Sequence, residues 1–195
     1  MGRTFKDAGQ FQQALEPYQK ALDKARAAND KSLEGRTLAN VGRLYRAMGQ
    51  YDKAQEAFNN TLTIAQTIKD LKLQGQTWNE LGALYRVQSQ MDKGLDAQQK
   101  ALALFAQLKD VASQANTLLE IGKLYRDSSK FDQAAAQFEQ ARKLAQQAKD
   151  QSLERESLVD AGSAYRELKQ YGQALTAYQA AAKLADQAND TKQKA

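Results

Sequence analysis

Four arginines occupy the same position of a repeating pattern, and their chemistry is the clearest candidate for ligand recognition in this chain. Each follows a tyrosine directly and lies 40 residues from the next: Arg46, Arg86, Arg126 and Arg166. We call these four residues the arginine row. A guanidinium is a planar, permanently charged donor group that suits a carboxylate or a phosphate. The arginine row therefore favours recognition of an anionic group.

Local pairing is the alternative role for the arginine row. Acidic residues follow in the same repeats at one position, as Asp52, Asp92 and Asp132, whereas Gly172 occupies that position in the repeat of Arg166. A guanidinium that binds a carboxylate of its own helical hairpin contributes to the fold rather than to a ligand site. Both roles are open at the level of sequence.

Catalytic chemistry finds little support in the composition. The 195 residues include no His and no Cys, which removes Ser–His and Cys–His nucleophiles, thiol metal sites and disulfides. Carboxylates recur as Glu80, Glu120 and Asp160, but stacked helices lie roughly 10 Å apart. That spacing is at or beyond the limit for an acid/base pair, so we expect solvated helix charges there. We predict a protein that is not an enzyme and binds no cofactor or metal.

A fixed period of 40 residues runs through the chain. Glycine recurs at Gly42, Gly82, Gly122 and Gly162, and aspartate recurs at Asp30, Asp70, Asp110, Asp150 and Asp190. A constant period of this size is typical of a stacked array, in which each unit buries its apolar face against its neighbours. We predict one array with a partial repeat over 1–30, full repeats over 31–70, 71–110, 111–150 and 151–190, and the start of a further repeat over 191–195.

Each full repeat contains two apolar stripes with helical spacing. Leu38, Val41, Leu44 and Tyr45 form the first stripe of one repeat, and a second stripe follows the polar break at Gly49. The pattern predicts first helices at 31–48, 71–88, 111–128 and 151–168, and second helices at 11–29, 51–69, 91–109, 131–149 and 171–189. The recurring aspartate suits the N-cap of each first helix, and Asp190 would begin a further one. The chain would open halfway through a first helix, so we expect a segment of a longer protein.

The repeat resembles the tetratricopeptide repeat (TPR). Trp78, Leu81, Gly82 and Tyr85 match that family's first helix, and Ala54, Phe58 and Thr61 match its second. The resemblance implies an all-α fold, a right-handed superhelical solenoid of antiparallel helical hairpins. The family period is 34 residues, so the extra residues should lengthen the helices and the turn after the second helix. The recurring glycine should mark a close approach of the paired helix.

Two local features depart from the family pattern. Gly94 and Gln98 replace a small and an aromatic residue in the second helix of 71–110, and we expect the loosest packing there. Pro17 lies inside the first of the second helices and should kink that helix or mark its first turn.

The TPR resemblance also implies where a ligand would bind. In that family the first helices line the concave face, and ligands contact positions around the motif glycine. Carried over by position, the candidates are Arg36, Arg43, Arg46, Asn79, Arg86, Asn116, Lys123, Arg126 and Arg166. Ala39, Leu119 and Val159 occupy the position of Asn79 in the other repeats. Arg3, Lys6, Arg36 and Arg43 make the N-terminal end of this face basic, whereas Glu156, Asp160 and Glu167 make the other end acidic.

The sequence therefore predicts a non-catalytic scaffold or adaptor that binds a protein or peptide, with a preference for acidic segments at its basic end. One alternative is the sensor arm of a larger signalling ATPase or protease, and another is self-association through the terminal helices. Nucleic acid is disfavoured because the aromatic residues follow the buried stripes. No apolar run approaches the roughly 18 residues of a membrane span, so we expect no membrane partner and a cytoplasmic location.

Overall fold

The computed structural model describes the backbone of residues 2–193 and the side chains of residues 13–187. Within that range the chain is an all-α helical repeat solenoid, as predicted. Its helices are α1 Gly2–Ala27, α2 Lys31–Ala47, α3 Tyr51–Thr67, α4 Leu71–Val87, α5 Met91–Gln107, α6 Val111–Asp127, α7 Phe131–Gln147, α8 Gln151–Glu167 and α9 Tyr171–Gln193. The even-numbered helices are the predicted first helices, and the odd-numbered ones are the second helices.

One type of three-residue turn connects consecutive helices. After α1, Asn29 adopts a left-handed φ of +52°, its N–H donates to Arg26 O at 3.0 Å, and the N–H of Asp30 donates to Ala25 O at 2.8 Å. This Schellman pattern pairs carbonyls that the helix end would otherwise leave open. The same φ sign recurs at Gly49, Lys69, Ser89, Lys109, Ser129, Lys149 and Lys169. Both turns of a repeat are equally short, so the expected longer turn after the second helix is wrong, and the extra residues lie in the helices.

Aspartate caps the first helices as predicted. The Oδ1 atoms of Asp30, Asp70, Asp110 and Asp150 accept the backbone N–H three residues later, at 2.9 to 3.0 Å. The two end helices differ from the prediction. α1 runs unbroken from residue 2 through Pro17, rather than beginning at residue 11, and α9 continues past Asp190. Continued helix satisfies backbone groups that a turn would have to pair in another way.

Residues 1–90 form one compact unit, which contains α1 to α4. α2 packs against α1 and α3, and α4 packs against α3 and also contacts α2. The buried side chains include Leu22, Leu38 and Val41 in one cluster. At the start of α2, Lys31 Nζ and Arg26 Nε donate to the buried Glu34 at 2.8 and 2.9 Å. These hydrogen bonds, that of Lys31 first, lower the pKa of the Glu34 carboxyl.

Residues 91–195 form the second unit, which contains α5 to α9. Each helix packs against the next one, and α6 also contacts α8. Leu119, Phe138, Leu153 and Ala161 belong to one large buried cluster. Gln98 is fully buried although it replaces an aromatic residue. The loosest packing in the repeat of Gln98 stays a prediction.

The recurring glycine faces an aromatic ring of the paired helix. A Cβ atom added at Gly42 would lie 2.6 Å from Phe58 Cε1, and one added at Gly162 would lie 2.8 Å from Tyr178 Cε1. Gly122 has the same relation to Phe138. Carbon atoms in contact require about 3.5 Å or more, so a side chain at these positions would force the ring or the helix to shift. The predicted steric reason is confirmed for Gly42, Gly122 and Gly162, where the ring supplies the close contact.

Membrane insertion has no candidate among the helices described in this structure, because none combines the necessary length with sufficient apolar character.

Candidate ligand-binding face

The predicted ligand positions lie on the first helices, and in each unit separately we call the side-chain surface of these helices the first-helix face. In the unit of residues 1–90, Arg43 Nε donates to Glu80 Oε1 at 2.7 Å. Arg43 Nη1 also donates to Asn40 Oδ1 at 2.8 Å. Arg46 Nη1 lies 2.7 Å from Glu80 Oε2, as an ionic contact. Two guanidiniums of α2 thus converge on one carboxylate of α4.

The second unit repeats this arrangement between α6 and α8. Arg126 Nη1 donates to Asp160 Oδ1 at 2.7 Å. Lys123 Nζ donates to Glu120 at 2.7 Å and to Glu156 at 2.9 Å. A cation of one first helix therefore binds a carboxylate of the following first helix, and these contacts tie neighbouring repeats together.

These ion pairs revise two expectations about charge. Arg46 and Arg126 pair with Glu80 and Asp160 of the next repeat rather than with Asp52 or Asp132, the local partners that the sequence left open. Arg126 also lies 3.6 Å from Asp127 of its own helix. Glu80 and Asp160 are not solvated charges, because their side chains are only 19% and 15% exposed. A signal was present in the sequence, since both pairs are separated by 34 residues.

Arg166 differs from Arg46 and Arg126 in its contacts. Its Nη2 donates to Glu167 Oε1, the adjacent residue, at 2.8 Å. Its side chain is 59% exposed, against 29% for Arg126 and for Arg46. The hydrogen bond to Glu167 raises the pKa of the Arg166 guanidinium.

Burial and neighbouring charges act in opposite directions on the paired groups of the second unit. Burial raises the pKa of the Asp160 carboxyl, and Arg126 and Lys123 offset part of that effect. Burial opposes the charge of Lys123, but Glu120 and Glu156 outweigh it and raise the pKa of this ammonium group. Lys123 is therefore charged throughout the neutral range.

The other candidates differ in how far a ligand could reach them. Arg36 and Asn116 are exposed, whereas Asn79 and Arg86 are half-buried. The position of Asn79 is buried in two other repeats, since Ala39 is 3% and Leu119 is 1% exposed. These two side chains do not contribute to a ligand site. Arg3 and Lys6 lie outside the described side chains.

The chemistry available on this face is ionic and hydrogen-bonding recognition. No group of three or more acidic side chains suitable for a metal ion occurs within the described side chains, 13–187. Tyr125 and Tyr165 pack against the buried cluster of the second unit, and Tyr45 packs against that of the first. These three tyrosines therefore support the core rather than offer their rings for stacking with bases.

The array of helical hairpins is that of a protein-interaction or regulatory repeat module. The sequence profile of the tetratricopeptide repeat matches residues 1–67, 73–147 and 115–187. The chain belongs to the tetratricopeptide repeat family. The fold of this family generally serves as a non-enzymatic scaffold. A comparison with curated protein sequences found no match.

Solved structures with the same fold come from several functional settings. The chain is similar to BtubC (BKLC) from P. vanneervenii, with a TM-score of 0.83, 21% identity, and coverage of 94% of this chain and 76% of that one. It is similar to a Rap protein complexed with Competence and Sporulation Factor (TM-score 0.81, 18% identity, coverage 97% and 54%). It also resembles a signal transduction ATPase of Pyrococcus horikoshii that has a tetratricopeptide repeat sensor (TM-score 0.79, 19% identity, coverage 96% and 28%). These similarities establish the fold.

Proposed function

We propose that this protein is a non-catalytic scaffold whose first-helix face binds a segment of a partner protein, and that the unit of residues 1–90 prefers an acidic segment. The arrangement of Arg43 and Arg46 around Glu80 carries this proposal. Two positive groups share one negative group, so the cluster keeps a net positive charge. Arg36, which is exposed on the same helix, adds to that charge.

The cluster also retains hydrogen-bonding capacity. Arg43 uses its Nε and one N–H of Nη1 in the contacts to Glu80 and Asn40. A guanidinium carries five N–H donors, so further donors of Arg43 can reach a ligand carboxylate. The side chain of Arg43 is 45% exposed, so a peptide can approach it. Glu80 holds the guanidinium in place, which lowers the entropic cost of binding.

The opposite charge balance on the second unit supports the same assignment. On its first helices, Glu120, Glu156 and Asp160 surround Lys123 and Arg126. Carboxylates there exceed cations, so an acidic peptide gains little from this surface. Electrostatic complementarity determines mainly the specificity and the association rate of such contacts. We therefore place the acidic preference on residues 1–90.

Fluorescence anisotropy with a matched pair of peptides tests the proposal. One labelled peptide is rich in Asp and Glu, and the other carries Lys at the same positions. We expect the acidic peptide to bind more tightly, and its affinity to fall as salt rises, because exposed charges are screened. Arg36→Ala combined with Arg43→Ala should weaken acidic-peptide binding about five- to tenfold, while Glu80 keeps Arg46 as its partner.

A matched control separates local recognition from overall charge. Lys24→Ala combined with Lys143→Ala removes the same charge from exposed positions on α1 and α7. This control should bind the acidic peptide with nearly unchanged affinity, and circular dichroism should show that both variants are folded. Equal losses in the two variants would mean that only the net charge of +5 attracts the peptide.

A second candidate function is the sensor or regulatory arm of a larger signalling protein. The similarity to a P. horikoshii signal transduction ATPase with a tetratricopeptide repeat sensor, and to a Rap protein complexed with Competence and Sporulation Factor, favours it. The complete reading frame that encodes these residues tests the idea. An ATPase or protease motif in the same reading frame would support an arm, and a reading frame of repeats alone would contradict it.

A further inference from the structure

A cavity of about 440 Å³ lies in the unit of residues 91–195, where α7, α8 and α9 meet. Leu158 of α8 and Ala177 of α9 contribute buried apolar surface to it. Glu139 and Arg142 of α7 and Tyr165 of α8 contribute polar groups. The volume falls in the range of small-ligand sites, about 300–1,000 Å³. We call this space, lined by these five residues and by part of α9, the Tyr165 cavity.

Small residues on α9 leave room for the Tyr165 cavity. Gly172, Thr176 and Ala180 line it. The equivalent residues are Asp52, Glu56 and Asn60 on α3, and Asp92, Asp96 and Lys100 on α5. α9 therefore has small uncharged side chains where these two helices have larger and mostly charged ones.

The cavity opens on a side of the hairpin that following helices do not cover. On α7, the residues equivalent to Gly172, Gln173 and Thr176 are Asp132, Gln133 and Ala136. All three of these α7 residues are exposed, although α8 packs against α7 and α9 packs against α8 in the same unit. A helix that followed α9 in the same geometry would therefore leave the Tyr165 cavity open.

α7 contributes an ion pair at positions where the earlier second helices carry no charge. The position of Arg142 is a leucine in those helices, and that of Glu139 is an amide: Leu22, Leu62 and Leu102, and Gln19, Asn59 and Gln99. Arg142 Nε donates to Glu139 Oε2 at 2.9 Å, and the two side chains are 25% and 29% exposed. Within residues 13–187, Glu139 Oε1 accepts no hydrogen bond. One oxygen of a carboxylate that arginine holds in place is therefore available to a ligand that donates.

The unit of residues 1–90 shows which group fits beside the tyrosine of this motif. Lys53 Nζ lies 5.5 Å from the centroid of the Tyr45 ring, within the range of a cation–π interaction, about 6 Å. Tyr165 is the equivalent tyrosine, and Gln173 occupies the position of Lys53. In the described part of the chain, 13–187, no Lys or Arg side chain lies over the Tyr165 ring. Tyr165 therefore offers to a ligand the kind of surface that Tyr45 offers to Lys53.

The charges around Tyr165 also favour a cation. Burial raises the pKa of the Tyr165 hydroxyl most, Glu139 raises it further, and Arg142 lowers it by less than Glu139 raises it. At this hydroxyl the negative charge of the ion pair thus outweighs the positive one. A positively charged group with an apolar stem would meet a carboxylate, an aromatic ring and buried aliphatic side chains in one place.

We propose that the Tyr165 cavity binds a primary alkylammonium group, carried by a small aliphatic amine or by a lysine side chain. The ammonium group takes the place beside Tyr165 that Lys53 Nζ has beside Tyr45, and it donates to Glu139 Oε1. Its alkyl stem packs against Leu158 and Ala177. Arg142 is a positioning residue, because it holds Glu139 without contacting the ammonium group. The site lies in residues 139–180 and is independent of the acidic preference proposed for residues 1–90.

Titration of the full chain with pentylamine, followed by the amide chemical shifts in nuclear magnetic resonance spectra, tests the proposal. We expect saturable shifts at the amides of residues 172–180. Pentylamine should bind at least about fivefold more tightly than pentanol, which has the same alkyl chain without the charge. Two peptides of identical sequence, except for one Lys or one norleucine, identify the source of the ammonium group. Preferential binding of the Lys peptide supports a lysine side chain, and binding of pentylamine alone supports a small amine.

Gln173→Lys supplies the ammonium group from the chain itself. This variant should bind pentylamine at least about tenfold more weakly, because the new lysine would lie over Tyr165 as Lys53 lies over Tyr45. Gln133→Lys makes the same change at the equivalent position of α7 and should leave the affinity within about twofold. Circular dichroism checks that both variants are folded, which is expected because Gln173 and Gln133 are exposed.

Removal of the carboxylate tests the assigned hydrogen bond. Glu139→Gln should weaken pentylamine binding at least about fivefold, and it should fold because Gln99 occupies the equivalent position of α5. Glu56→Gln removes the same charge from an exposed position on α3 and should leave the affinity within about twofold.

Four results would overturn the proposal. Equal affinities for pentylamine and pentanol would remove the role of the charge. The absence of saturable shifts at residues 172–180, or unchanged binding to the Gln173→Lys variant, would place the amine on another surface. Equal losses in Gln173→Lys and Gln133→Lys would mean that only the net charge of the chain affects the amine.

Discussion

Replacement of Gly122 by alanine should destabilise the protein through the aromatic ring that it faces. The added Cβ would lie 2.6 Å from Phe138 Cδ1 and 3.0 Å from Phe138 Cζ. Phe138 is fully buried, so its ring cannot move away into solvent. Overpacking of a buried contact costs about 1–3 kcal/mol, and alanine regains about 1 kcal/mol of helix propensity. The difference is a net loss of up to about 2 kcal/mol in the free energy of unfolding of Gly122→Ala, and we expect the upper part of that range because the ring cannot move.

Two further glycines supply an internal scale for this prediction. Gly162→Ala would meet Tyr178 Cε1 at 2.8 Å, but that ring is half-buried and can shift. Its net loss should be about 1 kcal/mol or less. Gly172 has no atom within 4 Å of an added Cβ, so Gly172→Ala should be neutral or stabilising by up to about 0.5 kcal/mol.

Urea unfolding followed by circular dichroism at the helical band measures this series. Repeat arrays lose two-state cooperativity as they lengthen, so the curves are fitted with coupled repeats rather than one transition. The second measurement is a double-mutant cycle of Gly122→Ala with Phe138→Leu, in which the smaller side chain should relieve at least about 1 kcal/mol of the loss. Equal midpoints for Gly122→Ala and Gly172→Ala, or an additive cycle, would refute the steric argument.

Three other predictions follow from the ion pairs and caps. Glu80→Gln leaves two arginines without their carboxylate and should lower the free energy of unfolding in urea by about 1 kcal/mol. Asp132→Asn should lower it by less than about 0.5 kcal/mol, and equal losses would contradict the contact between repeats. Lys31 and Arg26 lower the pKa of the Glu34 carboxyl in the folded state. The ionised Glu34 therefore stabilises the fold above its ordinary pKa of 4.5, and this stabilisation is lost as the pH falls through the lowered pKa. Between pH 7 and pH 3, Glu34→Gln should therefore lose less stability than the wild type, by about 0.5 kcal/mol after solvent screening, and parallel pH profiles would argue against it. Asp110→Ala removes the N-cap of α6 and should lower the free energy of unfolding by about 1 kcal/mol. Amide hydrogen exchange in the first turn of α6 should become faster, and an unchanged exchange rate there would show that the cap does not stabilise the helix.

Local signals explain why the helices could be predicted from the sequence. Asp30 and its equivalents cap the first helices through their own backbone neighbours, and this geometry depends on residues three apart. The apolar stripes and the glycine opposite an aromatic residue depend on positions within one hairpin. The all-α fold and the steric role of Gly42 and Gly122 therefore followed from residue types and spacing.

Contacts between repeats were decided by the tertiary structure. The choice of Glu80 over Asp52 as the partner of Arg46 depends on how far one first helix is staggered against the next, which a constant period does not specify. Burial is decided in the same way. Leu119 is 1% exposed because it packs in one cluster with Leu153 and Ala161 of α8, whereas Val159, the equivalent residue one repeat later, is 44% exposed.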